Sequence, residues 1–287
     1  MELNLAMIQF APSKGDVNAN LDRIAELSRQ AASENVDLAV FPESATSGYI
    51  LEGGARDMAL AQESLVSELA KRLDGLSSPI DFVVGYYEQG PGQPYNSAAY
   101  CAWDGKDLCL VHNYRKFFLP TYGVFDEERF HAAGSGIGLA DTRFGKVGIL
   151  ICEDVWHSIL GTLLAVGGAE LVVVPSASPL RGIADEKPGN VQRYERMLRS
   201  LSEEHGVYAG ASMLIGFEGG KGFSGGSMIF DPNGEQLLSA PFGEESIGIA
   251  TIDLEQGALA RTRTPLTNDL RSRWREVLAV AKNVTPL

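Results

Sequence analysis

Lys146-Val-Gly-Ile-Leu-Ile-Cys152-Glu-Asp-Val-Trp156 is the stretch from which the rest of the chain is read. Val147–Ile151 is short, apolar and mostly β-branched, the composition of a buried strand. It ends on Cys152, followed by two acids, Glu153 and Asp154, and then by a helix-like run from Val155 to Val166. A cysteine in that place has two readings. It is a small core residue closing a strand, as free cysteines often are. Or it is a nucleophile, because backbone N–H groups at a strand-to-helix junction are unpaired and partly positive; they favour a thiolate and can hold an oxyanion. The remainder of the chain decides between them.

A chain of 287 residues accommodates one large α/β domain or two small ones. Its 45% hydrophobic and 21% charged content is that of a globular protein able to bury a sizeable core. A net charge of −13 with no basic stripe argues against a nucleic-acid partner. Five arginines between Arg261 and Arg275 lie beside Asp269 and Glu276, and they read as a solvated or interface face. Three cysteines without paired spacing make no disulfide framework and suit a reducing compartment. The chain opens directly on the apolar segment Leu3–Phe10, without a basic leader or a long apolar run. The expectation is a soluble cytoplasmic protein with no signal peptide, membrane span or membrane partner.

In order, Leu3–Phe10 reads as a strand, and Asp16-Val-Asn18 caps a helix from about Ala19 to Glu34 with Leu21, Ile24, Leu27 and Ala31 on one stripe. Val36–Phe41 is a second buried strand, ended by Pro42-Glu43. A glutamate there is either a loop acid or a group at the ligand-binding edge, since open α/β sheets bind beyond the carboxyl ends of their strands. Met58–Leu73 reads as a helix, Asp81–Tyr87 as a strand, and Ser97–Trp103 with Leu108–His112 as a hairpin around Asp104-Gly105-Lys106.

Asn113–Phe130 mixes aromatic and charged residues with no period of 2 or 3.6. Irregular stretches so rich in aromatics pack on something and often carry function, which singles out Lys116 and Glu127. Ala169–Val174 is the next buried strand, ending in Pro175-Ser176-Ala-Ser178-Pro179. A polar loop, Arg181–Asn190, leads to a helix from Val191 to His205 and a strand at Val207–Leu214. Gly216–Gly226 holds six glycines but lacks the context of a phosphate loop. A hairpin of Gly226–Asp231 and Glu235–Ala240, a strand at Ser246–Asp253 and one helix at Leu270–Lys282 complete the chain. No linker divides it, so residues 1–287 are expected to form a single mixed α/β domain with its sheets covered by helices on one face.

A carboxylate, a lysine and a cysteine, each at a strand end or in an irregular loop, make a self-consistent reaction centre. A thiolate attacks carbonyl or nitrile carbon once a base takes its proton. A buried carboxylate with a raised pKa is such a base, and an ammonium supplies fixed positive charge where an oxyanion develops. His112, His131, His157 and His205 are scattered and form no Cys-His site, and no spacing suggests a metal or cofactor. The residues alone leave open whether the three groups meet.

Phe41-Pro42-Glu43, Arg115-Lys116-Phe-Phe-Leu-Pro120 and Ile151-Cys152-Glu153-Asp154 resemble, in order and context, the three signature motifs of the nitrilase superfamily of carbon–nitrogen hydrolases. The similarity runs from Gln9 through Gly48-Tyr49 and Tyr122–Glu127 to Gly225-Gly-Ser227 and Asp231–Gly234. It implies a four-layer αββα sandwich, two packed mixed sheets with helices outside. It implies Glu43 as general base, Lys116 as oxyanion-stabilising cation and Cys152 as nucleophile. Glu127 matches a second, positioning glutamate, with Glu128 one residue away as the alternative, and the backbone N–H of Glu153 completes the oxyanion hole. The reaction implied is amide hydrolysis through a thioester without metal.

Cys152-Glu-Asp-Val-Trp156, Leu119-Pro-Thr-Tyr122-Gly-Val-Phe-Asp-Glu127 and Ser176-Ala-Ser-Pro179 look most like the glutamine amidase domains of glutamine-dependent NAD synthetases. The chain lacks a Ser-Gly-Gly-x-Asp-Ser loop, so the expectation is a free-standing amidase acting on a small linear amide. A glutaminase subunit feeding a separate synthetase is one alternative, and a strict nitrilase another, although nitrilases often place an aromatic residue where Glu153 stands. A binding subunit that kept the fold and a membrane N-acyltransferase are the rivals from other classes; the intact triad and the missing span count against them. Substrate contacts are expected from Tyr49, Tyr122, Glu153, Trp156, Ser176 and Ser178, each of which also reads as core packing. The resemblance further implies a homodimer paired through helices near the nucleophile.

Overall fold

The computed structural model describes residues 1–182 and 187–284. The first half runs β1 (Glu2–Gln9), α1 (Val17–Ser33), β2 (Leu38–Val40), α2 (Gln62–Leu73), β3 (Ile80–Glu88), β4 (Tyr95–Trp103) and β5 (Leu108–Arg115). One helical turn, α3 (Glu127–Phe130), precedes β6 (Gly138–Thr142), β7 (Gly145–Ile149), α4 (Ser158–Gly167), β8 (Leu171–Ser176), α5 (Gly189–His205) and β9 (Tyr208–Met213). Then come β10 (Ile215–Glu218), β11 (Lys221–Ser224), β12 (Met228–Phe230), β13 (Gln236–Ser239), β14 (Ser246–Asp253), α6 (Glu255–Arg263), α7 (Leu266–Ser272) and α8 (Trp274–Asn283).

Two six-stranded sheets result, ordered β14-β1-β2-β3-β4-β5 and β13-β12-β9-β8-β7-β6. Each has a parallel centre, β1-β2-β3 in one and β7-β8-β9 in the other, flanked by antiparallel strands. Helical crossovers explain this pattern: α1 and α2 return the chain for parallel pairing in the first sheet, α4 and α5 in the second.

Alternation along the strands builds the layers. Leu3, Leu5, Met7 and Val83 point from the first sheet toward Val147, Ile149, Leu171 and Val173 of the second, forming the inter-sheet core. The intervening Ala6, Ile8, Phe82 and Val84 face outward onto Leu21, Ile24, Leu65 and Leu69 of α1 and α2. On the other side Val172 and Val174 pack against Leu160, Leu164, Tyr194 and Leu198 of α4 and α5. Each such buried aliphatic side chain contributes about 1.5–3 kcal/mol through lost apolar exposure. The architecture is therefore the expected αββα sandwich, and α1 is capped as expected, with Asp16 accepting the N–H of Ala19 at 3.0 Å.

Several sequence readings are corrected. The glycine-rich Gly216–Gly226 stretch is a hairpin, β10–β11, because Gly219 and Gly220 both adopt positive φ (52° and 73°) and form the two-residue turn. The tail forms three short helices rather than one, interrupted at Pro265 and again at Arg273. The helix expected from Met58 starts at Gln62, and the one expected from Val155 starts at Ser158, after a 3-10 turn over Cys152–Trp156. β6 was not anticipated, and the Arg181–Asn190 loop lies partly outside the described residues. Among the described residues no helix is long and apolar enough to cross a membrane.

Candidate active site

Parallel centres place the carboxyl ends of β2, β5, β7 and β8 on one edge of the sandwich. Glu43 stands three residues beyond β2, Lys116 follows β5 directly, Cys152 stands three residues beyond β7, and Ala177 follows β8. Glu43 and Lys116 are fully buried, and Cys152 and Glu127 nearly so. Both strand-end turns hold non-glycine residues in left-handed backbone, Cys152 at φ 47° and Ser44 at φ 52°. Such residues cost on the order of 1–3 kcal/mol each and persist where surrounding structure over-determines them, typically at functional sites. At Cys152 the turn carries the chain sharply from the strand into the 3-10 segment and sets the thiol toward the other strand ends.

The ammonium of Lys116 lies between two carboxylates, 2.8 Å from Glu43 Oε1 and 2.7 Å from Glu127 Oε1. Asn96 Nδ2 also donates to Glu43 Oε1 at 2.7 Å, while the backbone N–H of Ala177 donates to Oε2 at 2.8 Å. The Tyr49 hydroxyl donates to Glu127 Oε1. Cys152 Sγ lies 3.9 Å from the Ala177 carbonyl and accepts a hydrogen bond from the Tyr194 hydroxyl at 3.2 Å. Ala177 thus touches Glu43 with its N–H and Cys152 with its carbonyl.

Burial pushes the Glu43 carboxyl above its usual range; Lys116 pulls it down and Glu127 pushes it further up, with a net rise. Burial alone lowers the Lys116 ammonium, yet Glu127 and Glu43 outweigh it and hold the group well above its ordinary value. Burial, reinforced by Glu43, raises the Cys152 thiol, with Lys116 and Tyr194 opposing. The resting site is therefore a thiol beside a basic carboxylate and a permanent cation.

Glu127 rather than Glu128 occupies the site: Glu127 is buried on Lys116, and Glu128 is exposed. Of the expected substrate contacts, Tyr49 is buried against Glu127, with its ring edge-on to Phe125 and Phe223. Tyr122 is 43% exposed and donates to Glu153 Oε2 at 2.7 Å. Trp156 is edge-on to Tyr194, the residue that touches the thiol, and Arg193 lies 3.9 Å over its ring. Ser176 is buried beside Ala177, whereas Ser178 is engaged by Asn190 at the start of α5. Arg181 lies over Phe125 and Tyr122, 5.0 and 5.9 Å from their centroids.

Sequence reasoning missed four residues. Asn96, on β4, had no local signal, and Tyr194 is one member of an apolar helix stripe. Glu218 accepts the backbone N–H groups of Tyr49 and Ile50 at 2.7 and 2.8 Å, from a hairpin that had not been read. Asp154 lay inside the quoted motif: fully buried, it accepts the N–H groups of Phe117, Phe118 and Ile151 and the Tyr114 hydroxyl. Among the described residues no cluster of His, Cys, Asp and Glu is arranged to hold a metal ion.

Two packed mixed sheets with outer helices are the αββα sandwich of nitrilase-fold proteins. The chain belongs to the carbon-nitrogen hydrolase family, whose model matches residues 4–262. It is 31% identical over 88% of its length to the glutamine-dependent NAD(+) synthetase of Acinetobacter baylyi, of which it covers 44%. The chain spans less than half the length of that relative. Among solved structures, the carbon-nitrogen hydrolase from Helicobacter pylori G27 aligns with TM-score 0.85 and 24% identity, over 97% of this chain and 99% of that one. Saccharomyces cerevisiae Nit3, a member of branch 10 of the nitrilase superfamily, aligns with TM-score 0.78 and 26% identity, over 93% and 95%.

Proposed function

We propose that this chain hydrolyses a small linear amide to its acid and ammonia through a thioester on Cys152. The observation that carries the reading is one buried ammonium, Lys116, held between Glu43 and Glu127 at the strand ends where Cys152 also sits. Glu43 takes the Sγ proton as sulfur bonds to the amide carbon, and the carbonyl oxygen becomes an oxyanion. Lys116 and the Glu153 N–H, a first-turn donor without an intrahelical acceptor, stabilise that charge. Glu43 returns the proton to the leaving nitrogen, ammonia departs, and a thioester remains. Water then loses a proton to Glu43 and attacks the thioester, releasing the acid and restoring the thiol. Glu127 Oε1 is committed to Lys116 and Tyr49, which leaves Oε2 to accept a substrate amide N–H. Tyr49, Tyr122, Trp156, Ser176 and the Glu153 side chain line the approach in this reading; Ser178, already held by Asn190, contributes least.

A second reading is a glutaminase that delivers ammonia to a separate synthetase. It is favoured by the match to proteins that are glutamine-dependent NAD(+) synthetases. The Glu153 carboxylate and the Arg181 guanidinium, on either side of Tyr122, also suit a zwitterionic amide such as L-glutamine. A strict nitrilase is the third. The reading includes a cytoplasmic homodimer, which sedimentation tests. To separate the three, ammonia release is followed from paired amides and nitriles, L-glutamine among them, with wild type and Cys152→Ala. Release from an amide by wild type alone supports the proposal, release from L-glutamine alone favours the glutaminase, and release from nitriles alone refutes both.

A further inference from the structure

We infer that Tyr194 is a further catalytic residue, whose hydroxyl donates to the Cys152 sulfur and stabilises the thiolate that attacks the substrate. The inference rests on the reading of Cys152 as nucleophile. Tyr194 belongs to the stripe of α5, with Val191, Leu198 and Leu201, that packs on the outer face of the second sheet. For that packing a phenylalanine suffices, and a hydroxyl buried in an apolar stripe is costly unless it is hydrogen-bonded. Here it reaches past the stripe to the sulfur at 3.2 Å. Among the described residues it is the one hydrogen-bond donor in direct contact with Sγ. The Trp156 ring, edge-on at 5.9 Å, holds its orientation.

A thiolate at this place needs such a donor. It forms beside the carboxylates Glu43 and Glu127 with a single lysine between them, and burial strips it of water. Lys116 is shared by both carboxylates, so it serves the sulfur only in part. Burial raises the Tyr194 hydroxyl well above its ordinary range, so it keeps its own proton and acts as a donor throughout. The Sγ proton passes to Glu43, the sulfur–carbon bond forms as the carbonyl electrons move to oxygen, and Tyr194 remains O–H in every state.

The test uses Tyr194→Phe and the pH dependence of Cys152 alkylation by iodoacetamide, with the modified peptide identified by mass. The expected result is an alkylation midpoint shifted to higher pH, with the rate near neutrality lowered about 10- to 100-fold, the range of a hydrogen bond to a charged group. A purely structural role moves the melting temperature but not the midpoint. Wild-type protein carrying 3-fluorotyrosine, a stronger donor, covers the case in which Tyr194→Phe fails to fold: its midpoint must fall. An unchanged midpoint in either protein overturns the role of Tyr194 alone. Labelling that never reaches Cys152 in wild type overturns the nucleophile reading, and this inference with it.

Discussion

The buried carboxylate of Asp154 accepts the backbone N–H of Phe118 at 2.9 Å. With its bonds to Phe117 and Ile151, this fastens the segment bearing Lys116 to the turn bearing Cys152. Asp154→Asn replaces acceptor capacity with an amide that opposes those donors. The expected loss is about 1–3 kcal/mol of stability by urea unfolding, with lower kcat at unchanged alkylation of Cys152. A variant as stable and as active as wild type contradicts the clamp.

Lys116 neutralises two buried carboxylates at once. Lys116→Gln strands them, and breaking a buried ion pair in this way costs about 3–5 kcal/mol. The deficit shrinks as pH falls from neutrality, because burial already raises the Glu43 carboxyl and losing Lys116 removes the group that pulls it down, so acid neutralises that stranded charge. Urea unfolding at neutral and acid pH checks this; a deficit that is small, or that grows in acid, refutes it.

His131 is stacked on Tyr87 at 4.8 Å, and burial holds its imidazole down at about 4. With an unfolded value near 6.5, the unfolded chain binds the proton first. The stability this histidine contributes is full above about pH 6.5 and is lost as pH falls toward 4, by up to about 3 kcal/mol. Asp154 runs the other way: burial raises it to about 6, so its contribution is present below about pH 4 and is lost as pH rises through 6. The two offset each other in wild type. In His131→Phe the acid-side loss disappears, so its stability relative to wild type rises by about 3 kcal/mol from pH 7 to pH 4. A pH-independent difference contradicts the assignment.

Glu218 holds Tyr49 by its backbone, and Tyr49 holds Glu127 by its hydroxyl. Glu218→Ala leaves the buried N–H of Tyr49 and the part-buried N–H of Ile50 without acceptors. The expected cost is about 1–3 kcal/mol in thermal unfolding, with reduced activity. Unchanged stability places those N–H groups in water instead.

Glu43 and Cys152 were legible because buried parallel strands announce themselves as apolar runs, and the groups that follow such runs sit at the ligand-binding edge. Lys116 and Glu127 lay in a segment without periodicity and were found by composition and resemblance. The choice between Glu127 and Glu128 awaited the single turn of α3, which buries the first and exposes the second. Asn96 and Tyr194 were hidden because strand and helix patterns explain each position as packing; only the meeting of β4 and α5 with the strand ends gives them polar partners. The β10–β11 hairpin was hidden by its glycines, which lower strand signal while making the turn. The tail misled because an apolar period continues across Arg273, where the backbone breaks.

Intact-mass spectrometry of wild type and Cys152→Ala, quenched during turnover of an amide that releases ammonia, tests the covalent route most directly. Wild type is predicted to gain the acyl mass of the amide, mapped to the peptide containing Cys152 and removed by hydroxylamine, while the variant gains nothing. Ammonia release by the variant at the wild-type rate, or an acyl mass on any other residue, contradicts the account.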